Sequence, residues 1–105
     1  MDAQLRGKDL TKKLAIHKAL KQSYLATNQK LITSNIDCTF SGTTLVGLLI
    51  IERRIYSANV GDSRAIVANC KNGHWTSKAL SVDHKPNNPG EAKRIKKHGG
   101  RVEPY

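Results

Sequence analysis

The sequence predicts a domain of the α+β class, in which helices and an antiparallel sheet form separate layers. Apolar residues at helical spacing predict one long helix over about residues 9–33. Four runs of strand-forming residues between about 41 and 82 are separated by turn signals, which predicts an antiparallel meander. A capped segment over about 88–98 predicts a second helix, and residues 101–105 have the pattern of another strand that has just begun.

The first predicted helix has an apolar arc and a basic remainder. Asp9 is a candidate cap at its beginning, because a carboxylate can accept hydrogen bonds from the unpaired amides of the first turn. The basic side chains outside the arc are most simply a solvated face. A nucleic-acid-binding role is less favoured, since no recognition motif accompanies them. The arc consists of Leu10, Leu14, Ile16, Leu20, Tyr24, Leu25 and Leu31.

The strand region contains one long apolar run and one clear hairpin signal. Residues 43–51 have almost no polar interruption, which predicts a strand buried on both faces. The apolar run within them, residues 45–51, is too short for a membrane span. Gly47 within the run is typical of a bulge or of a close approach by another backbone. Asn72-Gly73 is the strongest hairpin signal in the chain.

The second predicted helix has clear start and stop signals in the sequence. Asn88 can cap it, Pro89 suits the first helical position, and Glu91 stands three residues after Asn88 as in a capping box. Gly99-Gly100 follows the last turn and predicts the end of the helix.

Gly61-Asp62 connects two strand-forming runs, and its local pattern is typical of a tight hairpin turn. In a second interpretation the same turn presents the Asp62 carboxylate to a hard cation such as Mg²⁺ or Mn²⁺. The pattern alone leaves both interpretations open.

The length, net charge and cysteine content of the chain limit the kinds of protein it can be. A chain of 105 residues makes one domain at most, and its net charge of +10 attracts nucleic acid, acidic lipid or phosphorylated proteins. Cys38 and Cys70 have no zinc-site spacing, which favours two reduced thiols in an intracellular protein. The polar N-terminal residues contain no apolar signal core, so we expect a soluble protein of the cytoplasm or nucleus, without a membrane segment.

Four sequence blocks, in order and at the right spacing, resemble the protein phosphatase 2C family of metal-dependent serine/threonine phosphatases. The resemblance covers about residues 9–105 and implies the central part of the catalytic domain. The fold it implies is part of a four-layer α-β-β-α sandwich of antiparallel sheets, here incomplete. The blocks are Ser41-Gly42-Thr43-Thr44, Ala58-Asn59-Val60-Gly61-Asp62-Ser63-Arg64-Ala65, Leu80-Ser81-Val82-Asp83-His84-Lys85-Pro86, and Glu91 with Arg94-Ile95 and Gly99-Gly100-Arg101-Val102.

The resemblance implies hydrolysis of phosphoserine and phosphothreonine in phosphoproteins at a binuclear Mg²⁺ or Mn²⁺ centre. None of the five aspartates precedes Gly or Asn, so the family's Asp-Gly-His-Gly, later Asp-Gly and Asp-Asn motifs have no match here. Of the family's metal-binding acids only Asp62 is matched, at an accessory site that holds its metal more weakly. We therefore expect no catalytic residue in this chain and no phosphatase activity from it alone.

Other residues of the four blocks are predicted to be structural. We expect Arg64 to pair with Asp62 or with a neighbouring strand, and His84 to form local hydrogen bonds in a loop.

Three functional interpretations stay open. The first is a phosphatase fragment, the second is a non-catalytic phosphatase-like interaction module that binds a partner through an uncovered sheet, and the third, least favoured, is a basic nucleic-acid binder. An uncovered sheet would also promote self-association.

Overall fold

The computed structural model describes residues 3–104, with side chains described from residue 7 onward. The α+β class is confirmed, since two helices accompany two antiparallel two-stranded sheets, as in part of a phosphatase 2C-like sandwich. The chain divides after Gly42 into two compact units. In chain order the elements are α1 (Ala3–Ile32), β1 (Leu45–Ile51), β2 (Arg54–Val60), β3 (Ile66–Lys71), β4 (His74–Ala79) and α2 (Pro89–Lys97).

The first unit contains α1, which begins six residues earlier than the sequence predicts. Asp9 therefore lies inside the helix, where its carboxylate is 3.7 Å from the Lys13 ammonium one turn later. The prediction that Asp9 caps the helix is wrong, because the residues before Gly7 are good helix formers and extend the helix backwards.

The predicted apolar arc of α1 is only partly covered. Leu10, Leu14 and Leu25 are each more than half exposed. The half-buried side chains of α1 recur three or four residues apart and mix charged with apolar groups, so they mark one edge of the predicted arc, which includes Ile16, Leu20 and Tyr24. They are Asp9, Lys13, Ile16, Leu20 and Tyr24. Neither helix in the described part of the chain carries an apolar stretch that could cross a membrane.

The strands of the second unit form two hairpins. β1 pairs with β2 and β3 with β4, and no ladder joins β2 to β3 among residues 43–104, where the sequence predicts one meander. The β1–β2 ladder runs through Gly47 opposite Ala58 in unbroken register, so the bulge predicted as one interpretation of that glycine is wrong, while a close approach by another element stays a prediction. Asn72 (φ 52°) and Gly73 (φ 74°) form the tight turn between β3 and β4, so the predicted hairpin at Asn-Gly is confirmed.

Burial in the hairpins is slight. Tyr56, at 7% exposure, is the one hydrophobic side chain that is buried in the described part of the chain. The prediction that residues 45–51 are buried on both faces is wrong for this structure, where Ile50 is 68% exposed and Leu48 is about half exposed. A two-stranded hairpin covers little of its own faces, which explains the difference.

α2 has the ends that the sequence predicts. The Asn88 Oδ1 accepts a hydrogen bond from the Gly90 amide (3.1 Å), and Pro89 occupies the first helical position. At the other end Gly99 has φ 79°, and the amide of Gly100 donates to the Ile95 carbonyl (3.0 Å), which makes a Schellman ending.

The capping box predicted for Glu91 does not form. The Arg94 guanidinium binds the Glu91 carboxylate through two nitrogens, with Nε 2.8 Å from Oε2, and the Asn88 amide donates to the Lys85 carbonyl instead. The arginine one turn later thus occupies the carboxylate that a capping box would use. After α2, residues 101–104 form neither helix nor strand, and Tyr105 lies outside the described residues.

Candidate functional site

The connection between β2 and β3 is the best-defined polar region of the second unit. We call residues 61–65 the Asp62 loop and residues 80–85, which run beside it, the bracing segment. Three hydrogen bonds donated by backbone amides join them: His84 N–H to the Gly61 carbonyl, Leu80 N–H to the Ala65 carbonyl, and Ala65 N–H to the Ser81 Oγ, each 2.9 Å. The interpretation of Gly61-Asp62 as a hairpin turn is wrong, because the loop bonds to the bracing segment while β2 and β3 do not pair in the described chain.

Asn59, the residue before the last of β2, ties the loop to the bracing segment. Its Nδ2 donates to the Gly61 carbonyl (3.1 Å) and to the Val82 carbonyl (2.9 Å). Its Oδ1 is buried and has no hydrogen-bond partner among the described residues. On the other side of the loop the hydroxyls of Thr44 and Ser63 are 2.7 Å apart and share a hydrogen bond.

Gly61 occupies a position that other residues cannot take without strain. Its φ of 90° lies in the left-handed region that favours glycine. A Cβ built there would stand 2.4 Å from Cγ2 of Thr44, well inside van der Waals contact. The close approach of Thr44 and the positive φ together explain why the loop begins with glycine.

Arg64 and Asp83 join the loop to the bracing segment through an ion pair with two hydrogen bonds. The Arg64 Nε is 2.9 Å from Oδ1 of Asp83, and its Nη2 is 2.8 Å from Oδ2. Hydrogen bonding from Arg64 lowers the pKa of Asp83 below its ordinary value and raises that of Arg64 in turn. Arg64 was expected to pair with Asp62 or a neighbouring strand, and the structure places its partner in the bracing segment instead.

Asp62 projects its carboxylate from the middle of this braced loop. Its side chain is 54% exposed, and Oδ2 lies 4.0 Å from the Lys85 ammonium. Residues 3–104 contain no cluster of three or more His, Cys, Asp or Glu side chains that could surround a metal ion. An exposed carboxylate on a fixed loop fits one ligand of a hard cation, whereas these residues by themselves do not make a complete metal centre.

The other residues of the four blocks have mostly structural surroundings. His84 contributes its backbone amide, through the bond to Gly61. Thr43 Oγ1 donates to the carbonyl of Thr44 (2.9 Å), in line with the structural role predicted for that block. Sequence reasoning missed the bonds of Asn59 to Val82 and of Ser81 to Ala65, since these partners are 23 and 16 positions apart and leave no local pattern.

Comparisons with known proteins agree on one family. The family model described as Protein phosphatase 2C matches residues 2–104. "Probable protein phosphatase 2C 12" of Oryza sativa subsp. japonica is 51% identical over 69 residues, which cover 65% of this chain and 18% of that protein. "Probable protein phosphatase 2C 35" of Arabidopsis thaliana is 41% identical over 85 residues, 81% of this chain and 24% of that protein.

A relative from a third organism provides a longer match. "Protein phosphatase 2C 1" of Paramecium tetraurelia is 34% identical over 114 residues, 97% of this chain and 36% of that protein. The chain therefore spans between about a fifth and a third of the length of these three relatives. No solved structure matches it at a significant level.

Proposed function

Because the chain belongs to the protein phosphatase 2C family, we propose that it is a segment of a phosphatase that removes phosphate from phosphoserine and phosphothreonine in proteins. The observation that carries the proposal is the Asp62 loop: an exposed carboxylate stands on a loop that hydrogen bonds and an ion pair hold on both sides. The relatives named above are described as protein phosphatases, which supports the same activity for the complete domain.

Asp62 is proposed to hold an accessory Mg²⁺ or Mn²⁺ ion in that domain. Its carboxylate is a hard oxygen ligand, and its exposure leaves room for a hydrated cation. Bound metal ions would supply an activated water and stabilise charge on the transferring phosphoryl group. The contribution of this chain is to place the carboxylate, and the Lys85 ammonium would have to move away as a cation arrives.

The isolated chain is proposed to be inactive. A phosphatase of this kind needs several carboxylates around its metals, and Asp62 has only the Lys85 ammonium as a charged neighbour in the described part of the chain. One carboxylate cannot hold a hard cation tightly without further ligands.

A chimera tests the proposal directly. The segment of this chain that matches the Arabidopsis relative replaces its counterpart there, and Mn²⁺-dependent release of phosphate from a phosphothreonine peptide is measured. We expect turnover from the chimera, none from the isolated chain, and an increase of about tenfold or more in the half-saturating Mn²⁺ concentration for Asp62→Asn. A chimera that melts like its parent but never turns over would contradict the proposed function.

A second function is supported by the exposed apolar strands. Ile50, Ile66 and Trp75 all present more than half of their side-chain surface, which suits a phosphatase-like module that binds a partner protein or another copy of itself. Light scattering of the isolated chain over a range of concentrations tests this second function. A stable monomer at every concentration would count against the interaction module.

A further inference from the structure

We propose that Arg64 and Asp83 act as a clamp that positions Asp62, so that Arg64 is a positioning residue for the metal-binding carboxylate. The inference rests on the proposed function, since the metal role of Asp62 is part of that proposal. It goes further by assigning a task to two residues that bind each other and flank the proposed metal ligand.

Bonds on both sides of Asp62 in the chain lead to two adjacent residues of the bracing segment. Gly61, one residue before Asp62, accepts a hydrogen bond from the His84 amide, and Arg64, two residues after it, binds the Asp83 carboxylate. Asp83 and His84 are themselves neighbours in the chain. The segment 61–64 is therefore bonded at both ends to two adjacent residues of the bracing segment, through the backbone amide of His84 and the side-chain carboxylate of Asp83.

The Asp83 end of the clamp is the fixed end. Its side chain is only 15% exposed, whereas that of Arg64 is 59% exposed. A carboxylate held in one place that binds a planar guanidinium through two parallel hydrogen bonds fixes direction as well as distance. The ion pair can thus set the orientation of the residues just before Arg64.

Asp62 itself has little else to hold it. Its charged neighbour in the described chain is Lys85, 4.0 Å away, and both side chains are more than half exposed. An exposed pair of this kind is weak and contributes little to geometry. The position of the carboxylate is therefore set by the backbone of the loop, which the clamp fixes.

Preorganisation explains why such a clamp would serve a metal site. Residues that do not touch the metal commonly orient its ligands, and their loss lowers affinity by about 10- to 100-fold. Lysine is a poor replacement for the arginine, because an ammonium cannot make the two parallel bonds that the geometry requires.

The first experiment measures the loop in the chain itself and does not depend on catalysis. Amide hydrogen exchange is followed by NMR in the unmodified chain and in Arg64→Gln, with Arg53→Gln as the control, since Arg53 lies in the exposed β1–β2 turn. We expect the amides of His84 and Ala65 to lose about tenfold in protection in Arg64→Gln only, with β3–β4 unchanged. Unchanged protection at both amides would overturn the clamp.

The second experiment measures metal affinity in the chimera described above. Arg64→Gln and Asp83→Asn are expected to raise the half-saturating Mn²⁺ concentration about tenfold or more, while the rate at saturating Mn²⁺ falls less than about threefold. Arg64→Lys should recover only part of the loss, and Arg53→Gln should match the parent. A fall in the saturated rate and in the melting temperature, with no change in Mn²⁺ dependence, would overturn the positioning role.

The two experiments separate the clamp from the proposed function. If the chimera is folded but inactive, the phosphatase proposal fails, and the exchange data alone decide whether the clamp orders the loop. If the chimera is active and Asp62→Asn leaves its Mn²⁺ dependence unchanged, the proposed metal role is wrong and the positioning of a metal ligand by Arg64 is overturned with it.

Discussion

The Asp62 loop and the two hairpins of the second unit are fixed by different forces. The loop is held by a dense set of polar bonds, including those of Asn59, Arg64 and His84. The hairpins have complete ladders, yet their apolar side chains lie largely exposed. Hydrogen bonds, which require particular distances and angles, fix the conformation of the loop within this chain. The strands expose apolar side chains that further packing against apolar groups would bury. Substitutions should therefore be costly in the loop and nearly neutral on the strand faces.

The largest effect is expected from Gly61→Ala. The new Cβ would meet Thr44 at 2.4 Å in a backbone conformation with φ 90°, so strain and overpacking together should cost about 2–4 kcal/mol. Protection of the His84 amide from hydrogen exchange is the measurement. Gly73→Ala is the matched control, because its φ of 74° is similar but nothing lies within 4 Å of the added Cβ. Equal losses in the two variants would show that the contact with Thr44 contributes nothing.

A smaller effect is expected from Asn88→Ala at the start of α2. The variant loses the hydrogen bond from the Gly90 amide to Oδ1, which should cost about 1 kcal/mol of helix stability. Amide exchange in α2 measures the loss, with the exposed neighbour Asn87→Ala as the control. Similar losses in both variants would mean that the cap is not what stabilises the helix.

Acidification should loosen the loop and leave the hairpins intact. Hydrogen bonding from Arg64, with smaller effects of the charges on Lys85 and His84, lowers the pKa of Asp83 below 3.8. The ion pair therefore stabilises the loop at and above that ordinary value and is lost as pH falls through the lowered pKa. The carboxyl carbon of Asp83, followed by NMR, should titrate below its ordinary value together with the amide shifts of the loop. In Arg64→Gln the titration should return toward the ordinary value, and an unchanged titration would contradict the assignment.

The smallest effect is expected on the open strand faces. Ile50→Thr retains a β-branched side chain at a position that is 68% exposed, so it should change the stability of the β1–β2 hairpin by less than about 0.5 kcal/mol. The same change should reduce any self-association seen by light scattering. Tyr56→Thr, at the buried position of the same hairpin, is the contrast and should cost several times more. A cost at Ile50 equal to that at Tyr56 would contradict the expectation that the exposed strand faces tolerate substitution.

The features that the sequence predicts correctly are those whose cause is local. Asn72-Gly73 and the two ends of α2 depend on residues within a few positions of each other. The pairing of Arg64 with Asp83 joins residues 19 positions apart, and no pattern in either block distinguishes it from pairing with Asp62. Local reasoning also fails where two local options compete, as when Arg94 takes the Glu91 carboxylate from the capping box.

The ion pair between Arg64 and Asp83 also has a consequence for protein engineering. Together with the Leu80–Ala65 hydrogen bond it joins the residues just before β3 to those just after β4. The hairpin is therefore closed at its base by contacts that do not depend on its own strands. A reporter sequence inserted at the exposed Asn72-Gly73 turn would lie at the end of the hairpin opposite to the Arg64–Asp83 ion pair. The hairpin could then be lengthened, shortened or exchanged while the carboxylate of Asp62 keeps its place.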